Sequence, residues 1–356
     1  MFVTAPTIGG DTGFSGFGTR FATRSAMKLA DIPALRRFWY PLVRVEDLEA
    51  GPVAQRLLGV DLVLWKDETG APAAAIDRCC HRTAKLSNGF VAEGRIVCGY
   101  HGWQFSASGA CVRIPQRKDP TQTGGVKIQA FAAAARYGHV WVALEPPQAP
   151  IPDFAEDGDP AWRRIPEFAE NWACGALRLM ENEFDNAHIE FVHQKTFGAT
   201  RNAMPAENDI EEFADGFVAR TTVRAANRAI GAAYSGVAEG ITTRTTVHRY
   251  WLPFLRKLDL TYPNGVAHRI VTATVPVDDG TTRLVQWAYR NDREADVPAQ
   301  TAVAFDRAVT LEDKTILEGT DPIVPLRDFM RAERHMPSDR PGLIMRRMLL
   351  ALADGA

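Results

Sequence analysis

Several things this chain lacks narrow its class at once. No stretch approaches the eighteen or so consecutive apolar residues of a spanning helix, so a membrane partner is not expected. Net charge is only −2, which gives no reason to expect nucleic acid or an anionic membrane surface. The opening MFVTAPTIGGDTGFSGFGTR has no basic start followed by an apolar run, so it does not read as a secretory signal. Five cysteines, an odd number in 356 residues, do not suggest a disulfide framework. Nothing of the form Gly-x-Gly-x-x-Gly opens a helix after a strand, so neither a nicotinamide nor a flavin site is expected. There are no internal repeats. The expectation is a reduced, cytoplasmic protein of about two domains, in which neighbouring cysteine and histidine suggest metal.

What is present divides the chain. Residues 1–37 read as a loosely held arm followed by a short helix from Ser25 to Arg37. Residues 38–148 read as a small antiparallel β domain. Short runs such as LVLWKD, PAAAID, RIVCGY and YGHVWVAL alternate with glycine- and acid-containing turns. EPPQAPIPDF, with four prolines in ten residues, reads as a linker. Residues 149–356 read as a second domain, an antiparallel sheet with helices on it. Its alternating runs are GFVARTTVRA, ITTRTTVHRYW, HRIVTATVPV and TRLVQWAYR. A helix is expected between Met180 and Gly198, a long one from Pro298 to about Thr320, and a short amphipathic one over DRPGLIMRRMLLALA. The fold class is therefore α+β, an all-β domain followed by a sheet-plus-helices domain.

The first chemical constellation lies between Arg78 and Phe105. Cys79-x-His81 is followed, from seventeen positions later, by Cys98-x-x-His101. Each loop supplies one thiolate and one imidazole, whereas a zinc finger expects its cysteines and histidines in separate pairs. The alternation suits a [2Fe–2S] cluster in which one iron takes both cysteines and the other both histidines. A structural zinc loop is the alternative. Cys80 leaves no residue before His81 and reads as a bystander; Cys111 and Cys174 read as small buried apolar residues. Gly99 and Gly102 would let backbone N–H groups approach the sulfides, with Trp103 beside them.

The second constellation is Asp185-x-x-His188-x₄-His193. Two histidines and a carboxylate with open positions make the facial triad of mononuclear Fe(II) oxygen enzymes. Histidines five apart sit about 140° apart on an ideal helix. Convergence therefore requires a broken or widened helix, for which a π-type turn is the natural device.

CCHRTAKLSNG followed by CGYHGWQFSASGACVRIP resembles the Rieske domain of Rieske non-haem iron oxygenases, in particular the single-subunit-type N- and O-demethylases and hydroxylases. The resemblance implies an N-terminal Rieske domain and a helix-grip-like catalytic domain. It assigns Cys79 and Cys98 to one iron of the cluster and His81 and His101 to the other. It makes Asp185 the bridge between a neighbouring subunit's cluster and an iron histidine, and puts Asn182 near the iron. It places the third iron ligand in an EDK sequence, which favours Asp313; Glu312, Glu318 and Asp321 stand in the same segment, and that segment alone does not separate Asp313 from Glu312.

The implied activity is that of a terminal oxygenase in a multicomponent system. O₂ is the co-substrate, and NAD(P)H electrons arrive only through a separate ferredoxin or reductase. Arg78, Arg82 and Lys85 are candidates for the donor's docking rim. Hydroxylation or oxidative demethylation of a small aromatic or heterocyclic molecule is expected, with cis-dihydroxylation of an aromatic ring as the alternative and a homotrimer as the assembly. An electron carrier without the second iron and a zinc-stabilised binding module remain as other classes.

Overall fold

The computed structural model describes residues 27–198, 204–324, 326–327 and 333–355. The N-terminal arm expected over the first residues lies outside the described ones. The expected helix ending at Arg37 is instead two 3₁₀ turns, Leu29–Asp31 and Pro33–Arg37. Pro33 removes a backbone donor and holds Ile32 extended, so no α-helix can run through.

The first half is built of ten strands: β1 (Tyr40–Arg44), β2 (Val53–Leu57), β3 (Val60–Lys66), β4 (Pro72–Ile76), β5 (Phe90–Ala92), β6 (Arg95–Val97), β7 (Gln104–Phe105), β8 (Cys111–Arg113), β9 (Ala130–Arg136) and β10 (His139–Ala143). Six pair in the order β1-β10-β9-β4-β3-β2, and a separate four-stranded meander runs β5-β6-β7-β8. The meander and the loop before it form their own apolar cluster, in which Val63 and Trp65 of β3 meet Leu86, Ile96 and Phe105.

The second half supplies β11 (Arg163–Trp172), α1 (Ala176–Asn182), α2 (Ile189–Val192), β12 (Asp209–Phe213), β13 (Gly216–Asn227), α3 (Ala229–Ser235), β14 (Gly240–Trp251), β15 (Leu255–Thr261), β16 (Ala267–Pro276), β17 (Thr282–Arg290), α4 (Ala299–Leu317) and α5 (Arg340–Asp354). Its seven strands pair antiparallel as β11-β17-β16-β15-β14-β13-β12. Helix α4 lies on this sheet, burying Ala302 and Phe305 against Ile165, Tyr234 and Tyr262. Pro298 caps the start of α4, so the helix expected from Pro298 begins one residue later at Ala299 and ends at Leu317. Among the described residues no helix is long and apolar enough to cross a membrane.

EPPQAPIPDF is not a free linker. Ile151 and Phe154 are buried in the core that joins the six- and seven-stranded sheets. Arg136 Nη1 donates to the Ile151 carbonyl at 2.8 Å, and the Tyr137 hydroxyl to that of Pro152 at 2.8 Å. Proline gives this segment its extended shape, and its apolar side chains, not its prolines, decide where it sits. Trp287 of β17 meets Trp141 of β10 edge-on, ring centres 6.1 Å apart, with Phe154 at 6.0 Å. Each such pair adds roughly 0.5–1.5 kcal/mol beyond its buried area. At the opposite end α5 returns to α1, where fully buried Arg346 grips Glu181 with Nη2–Oε2 at 2.8 Å and Nε–Oε1 at 2.5 Å.

Candidate metal centres and substrate cavity

The two Cys/His loops are the same device used twice. Thr83 N–H donates to the Cys79 carbonyl at 2.9 Å and Gly102 N–H to the Cys98 carbonyl at 2.8 Å. One residue on, Cys79 N–H donates to Ala84 O and Cys98 N–H to Trp103 O, at 2.8 and 2.9 Å. Both closing residues are left-handed, Thr83 at φ 58° and Gly102 at φ 70°. Glycine takes that conformation freely, while a threonine there costs energy that the surrounding loop must supply.

The loops pack closely because Gly89 lies between them. A Cβ there would stand 1.9 Å from the Val97 carbonyl oxygen. Cys79 and Cys98 are buried and unbridged, and His81 and His101 stand with ring centres 4.4 Å apart. Trp103 stacks flat on His81 at 4.6 Å, and its Nε1 donates to Gln116, which in turn donates to the His101 carbonyl. Burial pushes the Cys79 thiol up to about 11, reinforced by Cys98 beside it. A thiolate buried there requires compensating positive charge. His101 Nδ1 is buried with no hydrogen-bond partner. Four donors of this chemistry, one of them orphaned, fit a [2Fe–2S] cluster. Cys80 is exposed and outside the cage, and Arg78, Arg82 and Lys85 are exposed on its rim.

The second centre joins two elements distant in sequence, the short helix α2 and the long helix α4. His188 immediately precedes α2 and His193 immediately follows it. No π-turn brings them together. The helix is broken after α1 and only one turn, with ordinary i→i+4 bonds, separates the histidines. Their Nε2 atoms lie 3.1 Å apart, and each is 3.4 Å from Asp313 Oδ1 on α4. These edges approach the roughly 3.0 Å between neighbouring ligands of an octahedral ion with bonds of about 2.1 Å.

Each imidazole is aimed by a carboxylate through its other nitrogen. His188 Nδ1 donates to Asp185 Oδ2 at 3.2 Å and His193 Nδ1 to Glu312 Oε2 at 3.1 Å; Thr196 fixes Glu312 at 2.7 Å. Such partners set the tautomer and the ring orientation of a metal-binding histidine. Burial works against the His188 imidazolium, but Asp185 and Asp313 outweigh it and raise its pKa; at His193 burial wins and lowers it. Asp313 Oδ1 is buried without a partner, so a cation fits here. Glu312, the other candidate in EDK, points to His193 from behind. Glu318 receives a hydrogen bond from Ala173 N–H, away from the triangle.

A cavity opens on this triangle. Asn182 and Asp185 line it at one end, and α4 carries it past Val309 to Asp306. His248 on its floor accepts from Arg256 Nε at 3.3 Å, and burial holds its pKa down at about 4, so it is neutral. At the far end Asp306 meets the Tyr234 hydroxyl at 3.1 Å, with His268 and Glu167 behind. Burial pushes Asp306 up to about 6 and Glu167 well above the carboxylate range. No motif or spacing in the sequence marks this cluster or the role of Glu312.

Residues 38–132 match the Rieske [2Fe-2S] domain family, and residues 172–355 the vanillate O-demethylase oxygenase C-terminal domain family. The chain is a Rieske non-haem iron oxygenase. The oxygenase is 30% identical to methylxanthine N1-demethylase NdmA of Pseudomonas putida over 336 residues, 90% of either chain. It is 29% identical to a putative toluene-4-sulfonate monooxygenase iron-sulfur subunit of Comamonas testosteroni, covering 82% of this chain and 89% of that one. The solved structure of NdmA superposes with a TM-score of 0.77 at 28% identity, covering 91% and 92%. Dicamba monooxygenase shares the fold, with a TM-score of 0.76 at 22% identity. The oxygenase thus carries a Rieske cluster and a mononuclear iron, acts with O₂ as an oxidoreductase, and is a terminal oxygenase component served by a separate electron donor.

Proposed function

We propose that this oxygenase hydroxylates or oxidatively demethylates a small aromatic or heterocyclic substrate. His188, His193 and Asp313 would hold its mononuclear iron, and Cys79, Cys98, His81 and His101 its cluster. The observation that carries this reading is the Nε2–Nε2–Oδ1 triangle with an orphaned carboxylate oxygen, opening onto a largely apolar cavity. The demethylases among the relatives favour this outcome over ring dihydroxylation.

When bound, the cluster supplies single electrons and the iron supplies open positions for O₂ beside the substrate. The chain's own residues do the rest. Asp185 and Glu312 hold both imidazoles with Nδ1–H outward and Nε2 inward. Leu258, Leu260, Ile270 and Val309 exclude water from the substrate. Oxygen insertion into a methyl on nitrogen or oxygen leaves a hemiaminal or hemiacetal, which collapses to formaldehyde. Asp185, about a third exposed and bonded to His188, would receive a histidine of a neighbouring protomer's cluster, a role that the exposure of His81 supports. Such a pairing would link protomers head to tail into a closed ring, a homotrimer in this reading. The rim of Arg78, Arg82 and Lys85 supports docking of an acidic ferredoxin or reductase.

Purified protein should hold about three iron atoms and two labile sulfides per chain. With a reductase it should release formaldehyde from N-methyl or O-methyl aromatics, with coupled O₂ uptake. Two labelled oxygens in a ring product from ¹⁸O₂ would replace this reading with dihydroxylation. About two iron atoms and no turnover would leave an electron carrier.

A further inference from the structure

Strand β14 puts Arg244, Thr246 and His248 on its buried face, where alternation in a half-covered sheet normally puts apolar residues. All three line the cavity. The other arginine there, Arg256, is ion-paired with Glu183 and spends its Nε on His248. Arg244 has no such partner. It is 8% exposed, and among the described residues no carboxylate lies within 4.0 Å of its guanidinium. Its one polar side-chain bond runs from Nη2 to the neutral Asn227 Oδ1 at 3.3 Å, an oxygen already taking the Ser235 hydroxyl at 3.2 Å. Its Nε is buried with no acceptor. Its guanidinium carbon stands over the Tyr262 ring, 5.1 Å from the ring centre.

The acids on the cavity wall are engaged elsewhere. Asp306 faces Tyr234, His268 and Glu167; Asp185 and Asp313 face the histidines. Arg290, the remaining cation behind this end, is paired with Asp292. A buried guanidinium without a counter-anion is costly and is retained where something supplies that anion. A planar fork is suited to a carboxylate, which it can take through two parallel hydrogen bonds.

We infer that Arg244 is the anchor for a carboxylate on the substrate, which would make the substrate an aromatic acid rather than a neutral heterocycle. The inference rests on the reading of this cavity as the substrate site. Asp306, which lines the same cavity as Arg244, stands two helical turns from Asp313, about 10 Å along α4. Leu260, Ile270 and Val309 line the interval. An aromatic acid held at Arg244 would lie along this apolar wall with its reacting methyl toward the iron end.

The test is anaerobic calorimetry of the purified, cluster-loaded oxygenase with two matched pairs, 4-methoxybenzoate against 4-methoxybenzamide and benzoate against benzamide. The wild-type protein should bind each acid at least tenfold more tightly than its amide. Arg244→Gln should erase that preference while leaving amide affinity within about threefold. Arg244→Lys, which keeps the charge but not the fork, should keep part of it, and it replaces the glutamine variant if that one does not fold. Equal binding of acid and amide, no acid binding, or a preference surviving Arg244→Gln would overturn the anchor. Iron content and the EPR signal of the reduced cluster are read on the same samples. A full iron complement without acid preference removes only the anchor, whereas a missing third iron removes the cavity's assignment as well.

Discussion

The two metal-binding regions are built in opposite ways. The Cys/His cage comes from two copies of one tight turn, nineteen residues apart, each closed by its own backbone hydrogen bonds. The iron triangle comes from a broken helix and a distant one, with its cavity floored by strands from a third part of the chain. The cage is therefore specified locally, and the triangle only by the packing of α4 on the sheet. Local damage should be all-or-none in the first and graded in the second.

The strongest test of this contrast is Cys98→Ala, which should abolish the cluster's visible absorbance entirely and leave no partial state. Asp313→Ala should follow, emptying the mononuclear site and lowering turnover at least about a thousandfold while the cluster spectrum persists. Iron retained in that variant would break the assignment of α4 to the site. Glu312→Gln should be milder, weakening iron affinity roughly 10–100-fold by releasing the His193 ring. Gly89→Ala forces a Cβ onto the Val97 carbonyl and should cost about 1–3 kcal/mol in thermal or denaturant melts, with the cluster lost earlier than in wild type.

The smallest effect concerns the buried acids. Burial raises the folded pKa of Asp306 to about 6, above its unfolded value near 4, so the folded state binds more protons through that window. Wild-type stability therefore falls as pH rises through it, and Asp306→Asn is spared that fall. The melting difference, variant minus wild type, should become more positive between about pH 4 and 6 and level off above. A flat difference would place the proton elsewhere among Glu167, Tyr234 and His268.

The same contrast explains what could be read in advance. Cys79, His81, Cys98 and His101 are legible because spacing within a turn decides their meeting. His188 and Asp185 are three apart and meet in the tight turn between α1 and α2, where Asp185 also accepts from Ala187 N–H. Asp313 and Glu312 are neighbours about 100° apart on a helix, and only the direction from which α2 approaches decides which faces the histidines. The expected π-turn is absent because the helix breaks after Asn182 and restarts as the single turn Ile189–Val192 with one histidine at each end, and no periodicity marks that break. Strand β11 was overlooked because Pro166 interrupts RRIPEFAENW, and the structure absorbs it at a register shift. Arg244 and Asp306 were invisible because a polar residue on a buried strand or helix face looks the same in sequence as one on a solvated face.

The grip of Arg346 on Glu181 ties the last helix to the segment that carries Asn182, Asp185 and His188. Carboxy-terminal trimming before Arg340 would strip Glu181 of this bidentate partner and let α1 shift. Such a clipped protein would keep its brown colour and lose its third iron, so proteolysis at a site remote from any ligand would masquerade as a defect in metal loading.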